Sequence, residues 1–530
     1  MTEHEPVNVV QPALVGRDRF LLARFLFVRM LAVVYAVAFG SLSVQILGLV
    51  GASGIQPAAD YLEAARHFKG FNDYGFLPDW MVPYWNLPTI FWFNASDAAL
   101  QGTCYLGLAL SALLFCGLCP GFLLAILWVL YLSLTVAGQV FLQFQWDSLL
   151  LEAGLLAIFF APWGWRSRLR GQSHAPALPR WLLIWLLFRL MVSSGLVKLI
   201  FDDVSRPTWR TLTALAYHYE TQCIPNPIAW YVHQAPPLFG MMCTAMMFFI
   251  EIVTPIFFFF PRRWRHLAGA SQILLQCTIM ATGNYTYFNL LTITLCLLLF
   301  DDQLLRRVVP RLPAKGAGAD TNPAADVPRL SWSAHLRRMG AFLIAVLLSA
   351  GVFAGGAIEM AKRVWPRSKE TPIPEFVMTG TRWLSPFRCL NNYGLFTRMT
   401  TVRHEIEIQG STDGVEWTPY VLPYQPGPVD RMPPQVAPHQ PRLDWQMWFA
   451  ALRPSTRRPR WFDQLMARLL DGEPSVLALL AYDPFPVQPP SFIRAVRYRY
   501  EFTDWETGWR TGEWWTREYV GPYTPVWSRY

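Results

Sequence analysis

Charge is what this chain is short of. Only 15% of its 530 residues are Asp, Glu, Lys or Arg, while 53% are hydrophobic and 15% aromatic; an ordinary soluble domain carries about 25% charged residues. That balance excludes a typical soluble protein and points to the bilayer. A phosphate loop, a nucleophile elbow, an HExxH helix and a dinucleotide fingerprint are all missing, which lowers the expectation of an enzyme. No internal repeat is visible. No cleavable signal peptide is evident either. The first apolar run is too long for an h-region and follows a polar stretch containing Arg17 and Arg19, which reads as a signal anchor.

What is present is a succession of long apolar runs: Phe20–Val50, Asp97–Cys116, Gly121–Phe141, Trp146–Ala161, Trp181–Phe201, Leu238–Phe260, Leu267–Thr282, Phe288–Phe300 and Ala341–Ile358. Several reach the roughly 20 residues that cross a hydrocarbon core, so about seven to nine spans are expected. The fourth, seventh and eighth runs are short, and suit helices buried in a bundle or broken pairs. After the ninth run the pattern changes. Val402–Gln409 alternates apolar and polar residues before an Asp-Gly turn, and Ile493–Phe502 alternates again and leads across a Thr-Gly turn to Thr511–Tyr519. Leu443–Leu452 and Trp461–Leu470 look helical. The expected fold is therefore a membrane all-α helical bundle followed by a β-rich globular C-terminal domain. Its parts are a cytoplasmic tail at 1–19, the bundle at 20–300, a basic Pro/Ala/Gly-rich linker at 301–340, a last span at 341–358 and an extracytoplasmic domain at 359–530.

A formal net charge of +9 would suit nucleic acid, but its distribution does not. The basic residues collect before the first span (Arg17, Arg19, Arg24) and after the fourth (Arg166, Arg168, Arg170, Arg180), sixth (Arg262, Arg263, Arg265) and eighth (Arg306, Arg307, Arg311, Lys315). If nine segments cross, all four sets share one side, which makes it and the N-terminus cytoplasmic. The partner implied is the lipid bilayer, and no nucleic acid is expected.

Against this apolar background a few polar residues need partners. Gln145, Trp146, Asp147 and Glu152 open an otherwise membrane-like segment, and a carboxylate at bilayer depth costs several kcal/mol unless paired. Asp147 and Glu152 are five apart on a helix and point about 140° from each other, so they are no acid–base pair. Asp147 is expected to cap its helix, and Glu152 to meet Lys198 or Arg189, which face opposite ways. A second group, Tyr217, His218, Tyr219 and Glu220, crowds a loop between spans and suits a cleft. The spacing matches no zinc pattern, so no metal and no cofactor are expected. The third is a polar break at Thr282-Gly-Asn-Tyr-Thr-Tyr-Phe-Asn289, carrying Asn284; Asn94 and Asn284 both head glycosylation sequons that hug the membrane. Of the eight cysteines, Cys223 and Cys389 fall in non-cytoplasmic segments, where an oxidising compartment permits a disulfide.

Several segments together resemble the lipase maturation factor family over most of the chain. They are Phe144-Gln-Trp-Asp-Ser-Leu-Leu-Leu-Glu-Ala-Gly154, Ser193-Ser-Gly-Leu-Val-Lys-Leu199, Trp209 to Gln222, Thr282-Gly-Asn-Tyr285, Asn392-Tyr-Gly-Leu-Phe396 and Ala437 to Ala450. Cys223 departs from the family, which tends to have proline there. The resemblance implies a multi-pass protein of the endoplasmic-reticulum membrane, or of the inner membrane if the chain is bacterial, whose lumenal or periplasmic domain helps client lipases mature without catalysis. It makes His439, Gln440, Arg442, Asp444 and Trp445 candidates for client contact or structural support. The alternative is an intramembrane enzyme acting on a lipid or polypeptide, akin to the membrane part of vitamin K-dependent carboxylase relatives.

Overall fold

The computed structural model describes residues 20–67, 77–167, 175–308, 332–364 and 374–529. The expected cytoplasmic tail, Arg168, Arg170, and the stretch of linker with Arg311 and Lys315 lie outside the described residues.

The N-terminal part is helical: α1 (Leu21–Ser43), α2 (Asp97–Phe115), α3 (Pro120–Ala137), α4 (Gln145–Phe160), α5 (Ala177–Ile200), the short α6 (Leu215–Thr221) and α7 (Pro227–His233), α8 (Pro237–Phe248), α9 (Arg262–Thr282), α10 (Phe288–Cys296) and α11 (Trp332–Val364). A π-turn, Phe249–Val253, and a 3-10 stretch, Thr254–Phe259, extend α8. Among the described residues six helices are long and apolar enough to cross a membrane: α1, α2, α3, α5, extended α8, and Ala345–Val364 of α11. The other three apolar runs became α4, α9 and α10. Helix α4 has 16 residues, a rise of about 24 Å against a core of about 30 Å. It is mostly buried, as is α10, and a helix enclosed by others needs neither full length nor an unbroken apolar face. Helix α9 starts with Arg262-Arg-Trp-Arg-His266, which dilutes its hydropathy.

The ends of these helices sort into two sets. At one end, Arg24 donates to the last carbonyl of α4, Phe160, at 2.6 Å, and Arg180 at the start of α5 donates to Leu298 beyond α10 at 2.8 and 3.1 Å. Arg265 in the first turn of α9 donates to Leu299 at 2.9 Å, and Asp302 accepts from Leu21 and Leu22 at the start of α1. At the other end lie Ser41 of α1, Gln145 of α4, Lys198 of α5 and Thr282 of α9, all held by residues of the C-terminal part or of the loop before α8.

The C-terminal part carries an antiparallel sheet of β1 (Arg403–Ser411), β2 (Thr418–Tyr420), β3 (Phe492–Phe502), β4 (Trp515–Pro522) and β5 (Trp527–Ser528), ordered β2-β1-β3-β4 with β5 on the end of β3. The first hairpin forms where the alternation and the Asp-Gly turn placed it. The second is not a tight hairpin. Asp504 accepts from Thr507 N–H at 2.7 Å and nucleates a helix, Trp505–Thr511, which Gly512 ends at φ +75°. Only then does β4 begin, at Trp515. Helices α12 (Arg442–Ala451) and α13 (Arg460–Asp471) cover the two expected helical stretches. Trp461, Phe462, Leu465, Met466, Leu469 and Leu470 of α13 form a buried stripe at helical spacing. A single buried apolar cluster runs from Phe27 in α1 through the bundle into Leu443, Phe462 and Tyr523, so bundle and sheet share one core.

Candidate functional site

The polar residues of α4 stand where the C-terminal part meets the bundle, and the two carboxylates grip different segments of it. Asp147 accepts from Phe144 N–H at 3.4 Å, which caps the helix as expected. It also receives the guanidinium of Arg442, from α12, at 2.9 and 3.1 Å, and the hydroxyls of Tyr131 and Tyr287 at 2.5 and 2.8 Å. Arg442 spends another N–H on Phe141 O at 2.7 Å, and its backbone N–H on Gln45 at 2.8 Å. Both charged groups are essentially inaccessible to solvent. An ion pair so dry persists only because nearly every lone pair and proton has a partner.

Glu152 pairs with Arg189, not with Lys198. Its second oxygen accepts from Asn391 N–H at 3.1 Å, Asn391 Nδ2 at 3.0 Å and Tyr393 O–H at 2.7 Å. Arg189 reaches on to Asn391 O at 3.0 Å. Gln145 exchanges two hydrogen bonds of 3.1 Å with the backbone of Gly394. The α4 face thus binds the 391–394 turn on one side and Arg442 on the other, and Trp146 fills the gap by packing edge-on against Trp445, centroids 4.7 Å apart.

The family-like segment around residue 440 is buried in this seam. His439 Nδ1 lies 2.9 Å from Ser41 Oγ, the Gln440 backbone bonds Ser41 and Gln45, and Asp444 accepts from Tyr424 N–H at 3.0 Å. Burial raises the Asp444 pKa to about 7, against the opposing pull of those backbone bonds. Gln440, Arg442, Asp444 and Trp445 are all buried. These four residues support the seam in this structure, while His439 is half-buried at its edge. Asn284 is buried as well. Its amide donates to Pro434 O at 2.8 Å and accepts from Val436 and Ala437 N–H, so the polar break anchors the chain leading to residue 437, and the sequon is closed.

The loop group divides. Tyr217 is engaged within its own helix, its carbonyl accepting from Thr221 Oγ1 at 2.8 Å. Tyr219 is buried with Trp230, Tyr500, Phe502 and Trp515. Glu220 accepts from Phe502 N–H at 3.3 Å and faces His233 at 3.7 Å; burial raises its pKa to about 7. His218 meets Tyr285 O–H at 3.1 Å, and burial, with the Lys198 charge second, pushes its pKa down to about 4. Lys198 itself binds both oxygens of Glu251, at 2.6 and 2.8 Å. A Cβ on Gly195 would meet Ile252 at 2.5 Å and Glu251 at 3.2 Å, so that glycine is what lets the π-turn approach α5 closely enough for the pair to form. Among the described residues no group of His, Cys, Asp and Glu is arranged to hold a metal.

All eight cysteines are free, and the Cys223–Cys389 disulfide is not formed. Cys223 is buried with its carbonyl taking Arg403 Nη2 at 3.0 Å, while Cys389 lies in the segment leading to the Glu152 turn and donates to Phe387 O at 3.6 Å. Tyr131, Tyr287, Asn391, Tyr393 and Arg403 escape a reading of the sequence. The signals were that Tyr287 stands in the polar break at 282–289 and Tyr393 in a family-like motif. Arg403, fully buried at the start of β1, ties the loop carbonyls of Glu220, Gln222 and Cys223 and pairs with Glu405.

Two family models match the chain, the lipase maturation factor transmembrane domain over residues 22–307 and the lipase maturation factor C-terminal domain over residues 389–525. The chain is 37% identical to human Lipase maturation factor 2, over 95% of this chain and 82% of that protein. It is 36% identical to Lipase maturation factor 2 of Xenopus laevis, with the same coverage. To bovine Lipase maturation factor 1 it is 34% identical, over 98% of this chain and 91% of that protein. No solved structure matches. These relatives are named as maturation factors, not as enzymes, and the two matched models fall on the bundle and on the sheet domain that the seam joins: the chain belongs to the lipase maturation factor family.

Proposed function

We propose that the chain is a membrane-held maturation factor that binds immature secreted lipases, or proteins related to them, through its C-terminal sheet domain on the non-cytoplasmic side. The orientation is supported by charge. Arg24, Arg180, Arg262 and Arg265 gather at the end of the bundle away from the sheet, and the positive-inside rule makes that end cytoplasmic. The domain then faces the endoplasmic-reticulum lumen, or the periplasm in a bacterium, with residues after the last span on that side.

The observation that carries a binding role is a cleft of about 360 Å³ on the sheet, lined by Trp417, Tyr420, Tyr482 and Tyr498 with Glu407 and Arg517 at its side. Aromatic residues and arginine are the groups that dominate protein recognition. Tyr482 is 53% exposed and Arg517 bonds Glu407 at 3.0 Å, so the cleft is open to a partner and one side of it is preformed. Co-expression with a secreted lipase tests it. Tyr482→Ala with Trp417→Ala should reduce both lipase capture and secreted activity several-fold while the melting temperature holds. Undiminished capture by this variant would remove the cleft from the reading, and an active cytoplasmic reporter at the C-terminus would overturn the orientation.

A further inference from the structure

Beneath the C-terminal part, between α5, α8, α9 and α10, lies a cavity of about 240 Å³ that the seam does not use. Its walls are apolar, from Leu190, Met191, Met247, Leu275, Ile279 and Phe288, and Leu395 and Phe396 roof it. The π-turn sets Glu251 beside it, joined to Lys198, and π-turns inside helices often mark functional positions.

Three features define what fits. The first is the polar inventory among the described residues. Tyr285 donates its hydroxyl proton to Gln222 Oε1 at 2.9 Å, so at the 3.1 Å contact His218 Nε2 is the donor, and Nδ1 is left as a buried acceptor with no partner. Asn289, itself 1% exposed, gives its amide protons to Gln276 and leaves Oδ1 buried and unpartnered. Gln276 Nε2 has only the Met191 sulfur, at 4.0 Å. Two bare acceptors and one weakly engaged donor call for a headgroup of hydroxyls, because leaving such groups unmatched in an apolar site is costly. The second is charge. Lys198 and Glu251 already neutralise each other, so neither an anionic nor a cationic head would find an unpaired counter-charge there. The third is access. Helices α8 and α9 meet through the π-turn and the 3-10 stretch and part above them, where Phe239, Cys243 and Thr278 rim the cavity. Phe239, Met242 and Met246 are exposed on α8, one of the helices apolar enough to cross a membrane.

We propose that this cavity binds a neutral single-chain lipid with a hydroxyl headgroup, of the monoacylglycerol class, which enters sideways from the bilayer between α8 and α9. The hydroxyls satisfy His218 Nδ1 and Asn289 Oδ1, and the chain lies along the Met and Leu wall towards the membrane. The site stands apart from the client-binding reading and does not rest on it.

The test uses the full chain in nanodiscs with a photoactivatable monoacylglycerol carrying a diazirine in its chain, beside the same chain as a free acid and as a quaternary ammonium. The glycerol probe should label peptides from 215–222, 237–248 and 274–289 at least five-fold above the other two, and unlabelled monoacylglycerol should compete it away. Cys243→Trp, at the half-exposed rim, should cut labelling five-fold or more with the melting temperature unchanged. His218→Phe should erase the preference for glycerol over acid while overall labelling of the cavity persists. Equal labelling by all three probes, labelling confined to other peptides, or full labelling of a folded Cys243→Trp protein would each overturn the proposal. If Cys243→Trp does not fold, the probe preference and its loss in His218→Phe decide the matter alone.

Discussion

The two ends of the bundle use arginine in opposite ways. At the basic end Arg24, Arg180 and Arg265 donate to carbonyls at helix ends, Phe160, Leu298 and Leu299. These acceptors are orphaned by the helix itself and carry the negative pole of its dipole, so each arginine completes a local helix terminus. At the domain end Arg442 and Arg189 meet the ionised side chains Asp147 and Glu152, and both pairs are buried. Removing an arginine from a carbonyl loses hydrogen bonds, and the carbonyl's dipole remains. Removing one from a buried carboxylate leaves a net charge with nothing to face. The first arrangement finishes a helix, whereas the second holds two regions of the chain in register.

The largest effect is therefore expected at Arg442→Met, which strands Asp147 among Tyr131 and Tyr287: a loss of about 3–5 kcal/mol, read as a lower melting temperature in detergent and faster proteolysis within residues 374–441. Pairing it with Asp147→Asn should recover part of that loss, because the double variant has no stranded charge. A double variant as unstable as the sum of the singles would mean that packing, not charge, joins the domain to the bundle.

Glu152→Gln comes next. The amide keeps an acceptor for Asn391 or Tyr393 but leaves the buried Arg189 without its counter-charge, at about 2–3 kcal/mol. The loss should appear mainly as proteolytic cleavage near residues 391–393, which Glu152 holds, while Gln145 still holds Gly394 and limits the opening. A melt indistinguishable from wild type in a well-expressed variant would show that Arg189 is served by Asn391 O alone.

How far these contacts could be read from the chain follows from their range. The apolar runs, the first hairpin and the helices α12 and α13 are local patterns, and they stand where periodicity placed them. The need for a partner at Glu152 was legible too, and nine-residue spacing separated Arg189 from Lys198, although it did not say which of them would reach it. Arg442 lies 295 residues from Asp147 in the chain, and Tyr393 lies 241 from Glu152. No window of sequence joins such pairs. The same distance explains why residues 439–445 left two roles open, client contact or structural support. A string of His, Gln, Arg and Asp does not name its partners, and the bundle supplies Ser41, Gln45 and Asp147 from far away in the chain. The join between β3 and β4 misled for a local reason, because a Thr-Gly pair ends a helix as readily as it makes a turn, and the Asp504 cap that decides between them stands seven residues earlier.

The domain end also carries a group that titrates near neutrality. Glu220, with a pKa of about 7 in the fold against about 4.3 unfolded, binds more protons in the folded protein between those values. Its contribution to stability is therefore greatest below about pH 4 and declines as pH rises to about 7. Glu220→Gln removes this dependence, so the wild type should gain on the variant by about 2 kcal/mol on going from about pH 8 to about pH 5. His233, whose pKa burial lowers, acts in the other direction below about pH 6.5, but it is present in both proteins and largely cancels in the difference. Parallel melting curves across this range would show that Glu220 stays ionised, and so hydrated, in the fold.

The smallest effect is expected at the opposite end. Arg180→Ala removes two hydrogen bonds to Leu298 O and the guanidinium over the Phe20 ring, 3.4 Å from its centroid. The carbonyl left behind is neutral and lies where the α1, α5 and α10 ends crowd together, so about 1 kcal/mol is lost, and Arg180→Lys should restore part of it by returning a cation to the negative pole. The comparison between ends is sharpest here. Should Arg180→Ala lower the melting temperature as far as Arg442→Met, the basic end would be holding the bundle together as firmly as the seam holds the domain, and its arginines would owe their place to more than topology.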